Sequence, residues 1–382
     1  LSDENFMSFS RRALDDAKIR VSWGITGNEQ IGNYDYLYSY ATGDIYDGVG
    51  GVYPARLAVD NLRWEETRQV DVGLDLSFFN SRLTITADYY DKYTDGLLAN
   101  RELPKESGFS TMRTNVGEVS NRGFEFSIAG DLVRTKDFRW NASFNISRNW
   151  NTVEKLAEGE PYLENDLWWM AEGGSIGDFY VKGLLTDDKG HIYVDPNSNT
   201  VLLDPDPEAY IFAGNTEARF RWGWNNQFSY KGVSLGVLID ARIGGRGVSA
   251  TQALMDRFGV SQDSADAREN GGVWISDDQQ VPDAKTFYAN SGDGMAMLSH
   301  YVYSMTNVRL RELTLGYDLP SKWFRNKVNM SVSFVGRNLF MFYNKAPFDP
   351  EVTASTSTYY QGVDFFMQPS VRTLGFSVKL QF

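Results

Sequence analysis

Cysteine is absent from the 382 residues. That excludes disulfides, zinc–thiolate sites and cysteine nucleophiles. It is compatible with an oxidising compartment without requiring one. Histidine is nearly absent: His191 and His300 are the only two, far apart in the chain. With no HExxH pair and no GxSxG elbow, a zinc or triad enzyme lacks its residues. No apolar run approaches the roughly 18 residues of a membrane-spanning helix. Crossing by strands stays open, because their alternation averages out of a hydropathy window. Positive charge is in deficit, with 37 Lys and Arg against 50 Asp and Glu, which argues against a nucleic-acid partner. The opening LSDENFMSFSRR has no basic stretch leading into an apolar core, so it is not a signal peptide. The expectation is a chain that starts after processing or is a piece of something longer.

What the sequence has in quantity is alternation. In the closing VRTLGFSVKLQF, Leu374, Phe376, Val378, Leu380 and Phe382 alternate with Thr373, Gly375, Ser377, Lys379 and Gln381. A period of two over ten residues is a strand with one apolar and one polar face. The same pattern begins at Ile19, Val70, Leu83, Phe124, Phe138, Phe220, Val233, Leu313 and Val328, giving ten strands in all. In VRLRELTLGY the parity changes near Arg311, which predicts a bulge. The strands read as about ten residues or more, the length of a tilted membrane-spanning strand rather than a soluble one.

The connections are sorted by length. Short ones at 80–81, 133–137, 231–232 and 320–326 alternate with long polar ones at 27–65, 95–121, 150–217, 245–305 and 342–370. If the strands run up and down, every short turn lies at one end and every long loop at the other, as in outer-membrane barrels. The predicted fold is all-β, an antiparallel transmembrane β-barrel with short periplasmic turns and long extracellular loops. Its apolar stripe would face lipid and its Ser, Thr, Asn and Gln face a hydrated lumen. Tyr89, Tyr90, Tyr93, Trp150, Phe340, Phe342 and Tyr343 cluster near strand ends as interfacial girdles do. Within the third long loop, DFYVKGLLTDDKGHIYVD reads as a hairpin turning at 187–190. GGRGVS (244–249) lacks the Gly-Lys-Ser/Thr ending of a P-loop and reads as a strand-to-loop exit.

IRVSWGITGNEQIGNY (19–34), the stretch 62–98, NVGEVSNRGFEFSI (115–128), VRLRELTLGYDLP (308–320), GRNLFMF (336–342) with FDPEV (348–352), and LGFSVKLQF (374–382) resemble the C-terminal half of a SusC/RagA-type TonB-dependent outer-membrane transporter. The resemblance implies a barrel of about 22 strands with a plugged lumen. It further implies a TonB-box segment that draws energy through the TonB complex, a SusD-like surface lipoprotein as lid, and import of oligosaccharides or peptides. By that pattern, residues 1–382 are the C-terminal portion of the barrel, about ten strands, without the plug and the earlier strands. Those strands and the plug, in the same or a separate chain, then become partners, together with outer-membrane lipid. The terminal Phe382 resembles the signal by which such barrels are recognised for insertion. Two other readings are a passive porin-like barrel component and a soluble carbohydrate-binding β-sandwich, whose apolar stripes would pack sheet against sheet.

Candidate substrate or lid contacts are the loop aromatics Trp168, Trp169, Tyr359, Tyr360, Phe365 and Phe366, which have faces for sugars or peptide side chains. Loop packing is the competing use. Candidate lumen charges are Arg219, Arg221, Arg309 and Arg311, with Asp71 and Asp75 as neighbouring carboxylates. Salt bridges to those carboxylates or to a plug compete there with attraction of substrate. No cofactor is expected. Carboxylates at 186–197 and 202–210 could serve calcium, but they lack EF-hand spacing and read as solvated acidic loop.

Overall fold

The computed structural model describes residues 14–29, 31–109, 111–156, 162–164, 167–187, 191–198, 200–206, 210–275, 279–291, 298–351, 354–355 and 360–381. Ten strands form one sheet in chain order. They are β1 (Leu14–Asn28), β2 (Glu65–Phe78), β3 (Leu83–Glu102), β4 (Thr111–Arg134), β5 (Phe138–Leu156), β6 (Phe220–Tyr230), β7 (Val233–Ile243), β8 (Asn307–Leu319), β9 (Asn329–Asn344) and β10 (Thr373–Gln381). Each runs antiparallel to the next, and β1 and β10 are the two edges of the described sheet. The long connections are L1 (29–64), L2 (103–110), L3 (157–219), L4 (244–306) and L5 (345–372).

Strand register turns the alternation into two continuous faces. Ile19, Leu74, Ala87, Phe126, Ile146, Trp222, Ala241, Val308 and Tyr343 are successive cross-strand partners from β1 to β9. Nearer the short turns, Trp140, Phe228, Leu235, Leu315, Phe334 and Phe376 extend the same apolar face to β10. This face has no layer against it among the described residues: Trp23 is 69% exposed and Phe376 87%. A belt of that extent in water would be a large apolar patch; in hydrocarbon it is solvated. The sandwich reading fails here, because among the described residues no second sheet packs on the stripe. Asn226 sits on the stripe between Trp224 and Phe228, buried, and its Oδ1 accepts the Trp140 indole N–H at 3.1 Å.

The opposite face is polar and joined by side chains. Arg20 bridges Asp75 and Asp88, each at 2.7 Å, across three strands. Tyr90 belongs to this face and not to the girdle: its hydroxyl donates to Asn149 Oδ1 at 3.0 Å. Tyr89, Trp150, Phe340, Phe342 and Tyr343 are exposed on the apolar side.

The short turns fall where expected. Lys231 and Gly232, at φ 47° and 88°, make the two-residue turn that matches strand twist. The long connection expected at 95–121 is instead a projecting hairpin. β3 and β4 run on to Glu102 and from Thr111, past a register shift beside Gly96 at φ 68°. β4 has 24 residues, roughly twice what crosses a bilayer. Above the lipid both faces meet water, so alternation ceases while backbone pairing continues.

The dry core lies in the loops. Leu167, Trp168, Phe179, Val181, Val248, Ala253, Tyr301 and Val363 from L3, L4 and L5 pack together. A second cluster gathers Val201, Val273, Val281, Phe287 and Tyr288. L4 also contains helices that the alternation could not announce: α1 (Ala250–Arg257), α2 (Gln262–Glu269) and α3 (Ala284–Ser291). Ser249 and Ser261 cap α1 and α2 by accepting N–H bonds from Gln252 and Ser264, each at 3.0 Å. Asp283 accepts from Thr286 N–H at 3.0 Å at the start of α3.

Candidate functional site

The polar face is most elaborate where β6–β9 meet L3 and L5. Arg311 is the extra residue of a bulge, since Leu238 faces Glu312 while Ile239 faces Leu310. The predicted parity change is therefore a bulge in β8: Arg309 and Arg311, two apart, share the polar face, and the bulge adds Glu312 to it before Leu313 returns to the apolar side. β9 bulges with it: Asn338, at φ 51°, accepts from Arg311 Nη1 at 3.1 Å.

L5 then folds onto these arginines. Arg309, with 3% of its side chain exposed, contacts Asp349 at 3.0 Å, Glu351 at 3.1 Å and Asn307 at 3.2 Å. Arg311 contacts Asp240 at 2.6 Å and also Glu351. Asp349 accepts further bonds from the N–H groups of Ser370 at 3.0 Å and Glu351 at 3.1 Å. Burial pushes the Asp349 carboxyl up, but the bonds from Ser370, the Glu351 N–H and Arg309 outweigh it and hold the group at about 2. VRLREL, GRNL and FDPE, separate in sequence, are thus one interlocked network.

A cavity of about 580 Å³ lies beside it, lined by Thr216, Arg221, Asp240, Arg242, Glu351 and Gln361 among others. That volume is within the range of small-ligand sites. Arg221 and Arg242 are direct cross-strand partners on the polar face. Arg242 donates to the Thr216 carbonyl. Gly245, at φ 86°, leaves room for it, because a Cβ there would stand 2.9 Å from Arg242 Nη2.

Other sequence candidates lie elsewhere. Asp75 pairs with Arg20, and Asp71 accepts from Ser22 at 3.0 Å and Gln69 at 2.8 Å, far across the sheet from the arginine group. The expected pairing of Arg219, Arg221, Arg309 and Arg311 with Asp71 and Asp75 does not occur; Asp240, Asp349 and Glu351 take that part. Arg219 is exposed beside Gly244. Trp168 is 1% exposed, edge-on to Tyr360 at 5.2 Å, and presents no surface to a ligand or lid. Trp169 heads an aromatic file with Tyr180 and Phe212 at 5.6 and 5.3 Å. Phe365 and Phe366 are exposed and contact each other at 5.6 Å. Tyr359 and Phe382 lie outside the described residues.

The turn expected at 187–190 is closed by an antiparallel bridge between Thr186 and Ile192, though 188–190 lie outside the described residues. Asp178–Lys182 pairs with Tyr210–Asn215 rather than with the second half of that hairpin. Asp195 is occupied by Ser198 and Asn197, and Asp204 by the Asp206 N–H at 3.0 Å. Among the described residues, no three His, Cys, Asp or Glu converge to hold a metal. Reading the sequence alone missed Asp240 and Arg242. Their signal was period two: both sit on the polar side of VSLGVLIDARI (233–243).

Residues 9–339 match the family described as TonB dependent receptor-like, beta-barrel. The whole chain aligns at 30% identity with TonB-dependent receptor P39 of Formosa agariphila, over 42% of that protein. It aligns at 27% with TonB-dependent receptor SusC of Bacteroides thetaiotaomicron, over 39% of that protein. The structure of the RagAB peptide transporter superimposes with a TM-score of 0.77 at 23% identity, covering 99% of this chain and 42% of that one. The chain thus spans about two-fifths of the length of the relatives it matches.

Proposed function

This chain belongs to the TonB dependent receptor-like β-barrel family of the outer membrane, and on that premise we propose that it is the C-terminal wall and loop portion of an active nutrient importer. The observation that carries the reading is the two-faced sheet: a bare apolar belt outside, and inside an ion-paired polar face roofed by structured loops. The edges at β1 and β10 have backbone groups that hydrocarbon cannot satisfy, so further strands complete the wall. A plug fills the lumen, and its rearrangement is driven through TonB. Cargo is an oligosaccharide or peptide; the likeness to the RagAB peptide transporter supports the second. A SusD-like lipoprotein caps the loop side. Phe212, exposed at the end of the half-buried Trp169–Tyr180 file, and the Phe365–Phe366 pair are the surfaces offered to lid or cargo.

The test uses the full-length receptor in its own cell. Extraction should require detergent, and uptake should stop when TonB is disrupted. Recovery in the aqueous fraction would overturn the membrane assignment; uptake indifferent to TonB would favour the passive barrel instead.

A further inference from the structure

We infer that the cavity beside Arg221 and Arg242 is a subsite for a carboxylate that has a hydrogen-bond donor next to it. The inference rests on the importer reading and narrows the cargo it takes. Four observations carry it. First, Arg221 and Arg242 face one another directly across β6 and β7. Like charges in that position repel, with Cβ atoms about 5 Å apart, unless an anion lies between them. Second, neither makes an ion pair with any described residue. Arg309 and Arg311 already occupy Asp240, Asp349 and Glu351. Third, Arg242 Nε is buried and has no acceptor among the described residues, while Asp240 Oδ1 is buried and has no donor. The two residues are two apart on one strand, hence on one face, and both line the cavity. Unpaired groups of opposite hydrogen-bonding sense, side by side, call for a ligand that accepts at one end and donates at the other. Fourth, Arg242 is held ready: the Thr216 carbonyl orients it and Gly245 leaves it space.

A carboxylate between the two guanidiniums gains charge-assisted bonds, with the planar forks suited to it. A hydroxyl or amide N–H two or three bonds away donates to Asp240 Oδ1. Two sources carry this chemistry: the uronate end of an acidic saccharide and the carboxy-terminal residue of a peptide.

The experiment uses the full-length receptor purified from outer membranes in detergent, with calorimetric titration of trigalacturonate, trialanine, and the neutral carboxamide of each. At least one acid should bind about tenfold or more tighter than its amide. R242Q and R221Q should each abolish that preference, and R242K should keep part of it. Which acid binds identifies the source. Heat-modifiable gel migration checks that each variant still forms a barrel. Should R242Q fail to form one, R221Q, at an exposed side chain, decides the question. Equal binding of acid and amide, binding of neither acid, or a preference that survives R221Q in a folded barrel would each overturn the subsite. Failure of the importer reading looks different: acid-selective binding would persist while cells showed no TonB-dependent uptake.

Discussion

Replacing Asp349 by alanine should release L5 from the wall while leaving the strands intact. Arg309 would lose its 3.0 Å partner and keep Glu351 and Asn307. Removing one partner of a buried pair costs about 3–5 kcal/mol when nothing compensates. The two surviving partners bring the expectation to roughly 2–3 kcal/mol. At about 1.4 kcal/mol per tenfold, L5 should open roughly 30- to 150-fold more often. Hydrogen–deuterium exchange of the full-length receptor in detergent reads this directly, in peptides spanning 345–351 and 368–372. Peptides from the β6–β7 hairpin should not change. The double variant R309M/D349L replaces the pair by apolar groups and should recover most of the protection. The pH dependence has a definite sign. The Asp349 carboxyl is held at about 2 against an ordinary value of 3.8. A depressed carboxyl stabilises the fold above the unfolded value and ceases to do so as pH falls through the folded one. About 2 kcal/mol of L5 anchoring is therefore present above pH 4 and lost towards pH 2. Unchanged exchange in D349A, or an acid response that persists in D349N, would refute the account of Arg309 as the anchor.

Further outcomes are expected elsewhere. Phe334→Arg, on the apolar face opposite Phe376, should cost about 2–4 kcal/mol if it lies near mid-bilayer, seen as loss of the heat-modifiable band; Ser333→Arg, on the other face, should be tolerated. Trp168→Ala should open a cavity in the loop core costing about 3–5 kcal/mol, whereas Phe366→Ala should leave loop proteolysis unchanged. Ser249→Ala removes the α1 cap and the 2.6 Å bond to buried Asp364, and should raise exchange across 250–257 by the equivalent of about 1–3 kcal/mol.

The wall was legible in the sequence because lipid outside and water inside impose opposite demands on successive residues. Ile19 through Ile25, or Leu374 through Leu380, can be assigned a face from the period alone. The bulge was legible for the same reason: Arg311 breaks a parity that both sides of it obey. Legibility ends where the solvent is the same on both faces. Beyond Thr94 the β3–β4 hairpin continues in water, and its alternation fades although its backbone pairs do not. The helices of L4 had signals of another kind. Ser249 followed by Gln252 has the form of a capping box, and Ser261 stands one residue before α2. Short helices between strands yield too little periodicity to outweigh the surrounding pattern. The partners of Arg309 were beyond reach because Asp349 is 40 residues away and the fold of L5 brings them together.

The dry core in L3, L4 and L5 means that this chain answers to two thermometers. The loop clusters owe their cohesion to water, so cooling weakens them as it does any small globular domain, and their melting should carry a large positive heat capacity. The wall, wetted by hydrocarbon on its outer side, draws its stability from closed backbone pairing and has no such dependence. Calorimetry of the intact receptor should therefore show the mouth loosening at a temperature where the strands have yet to respond.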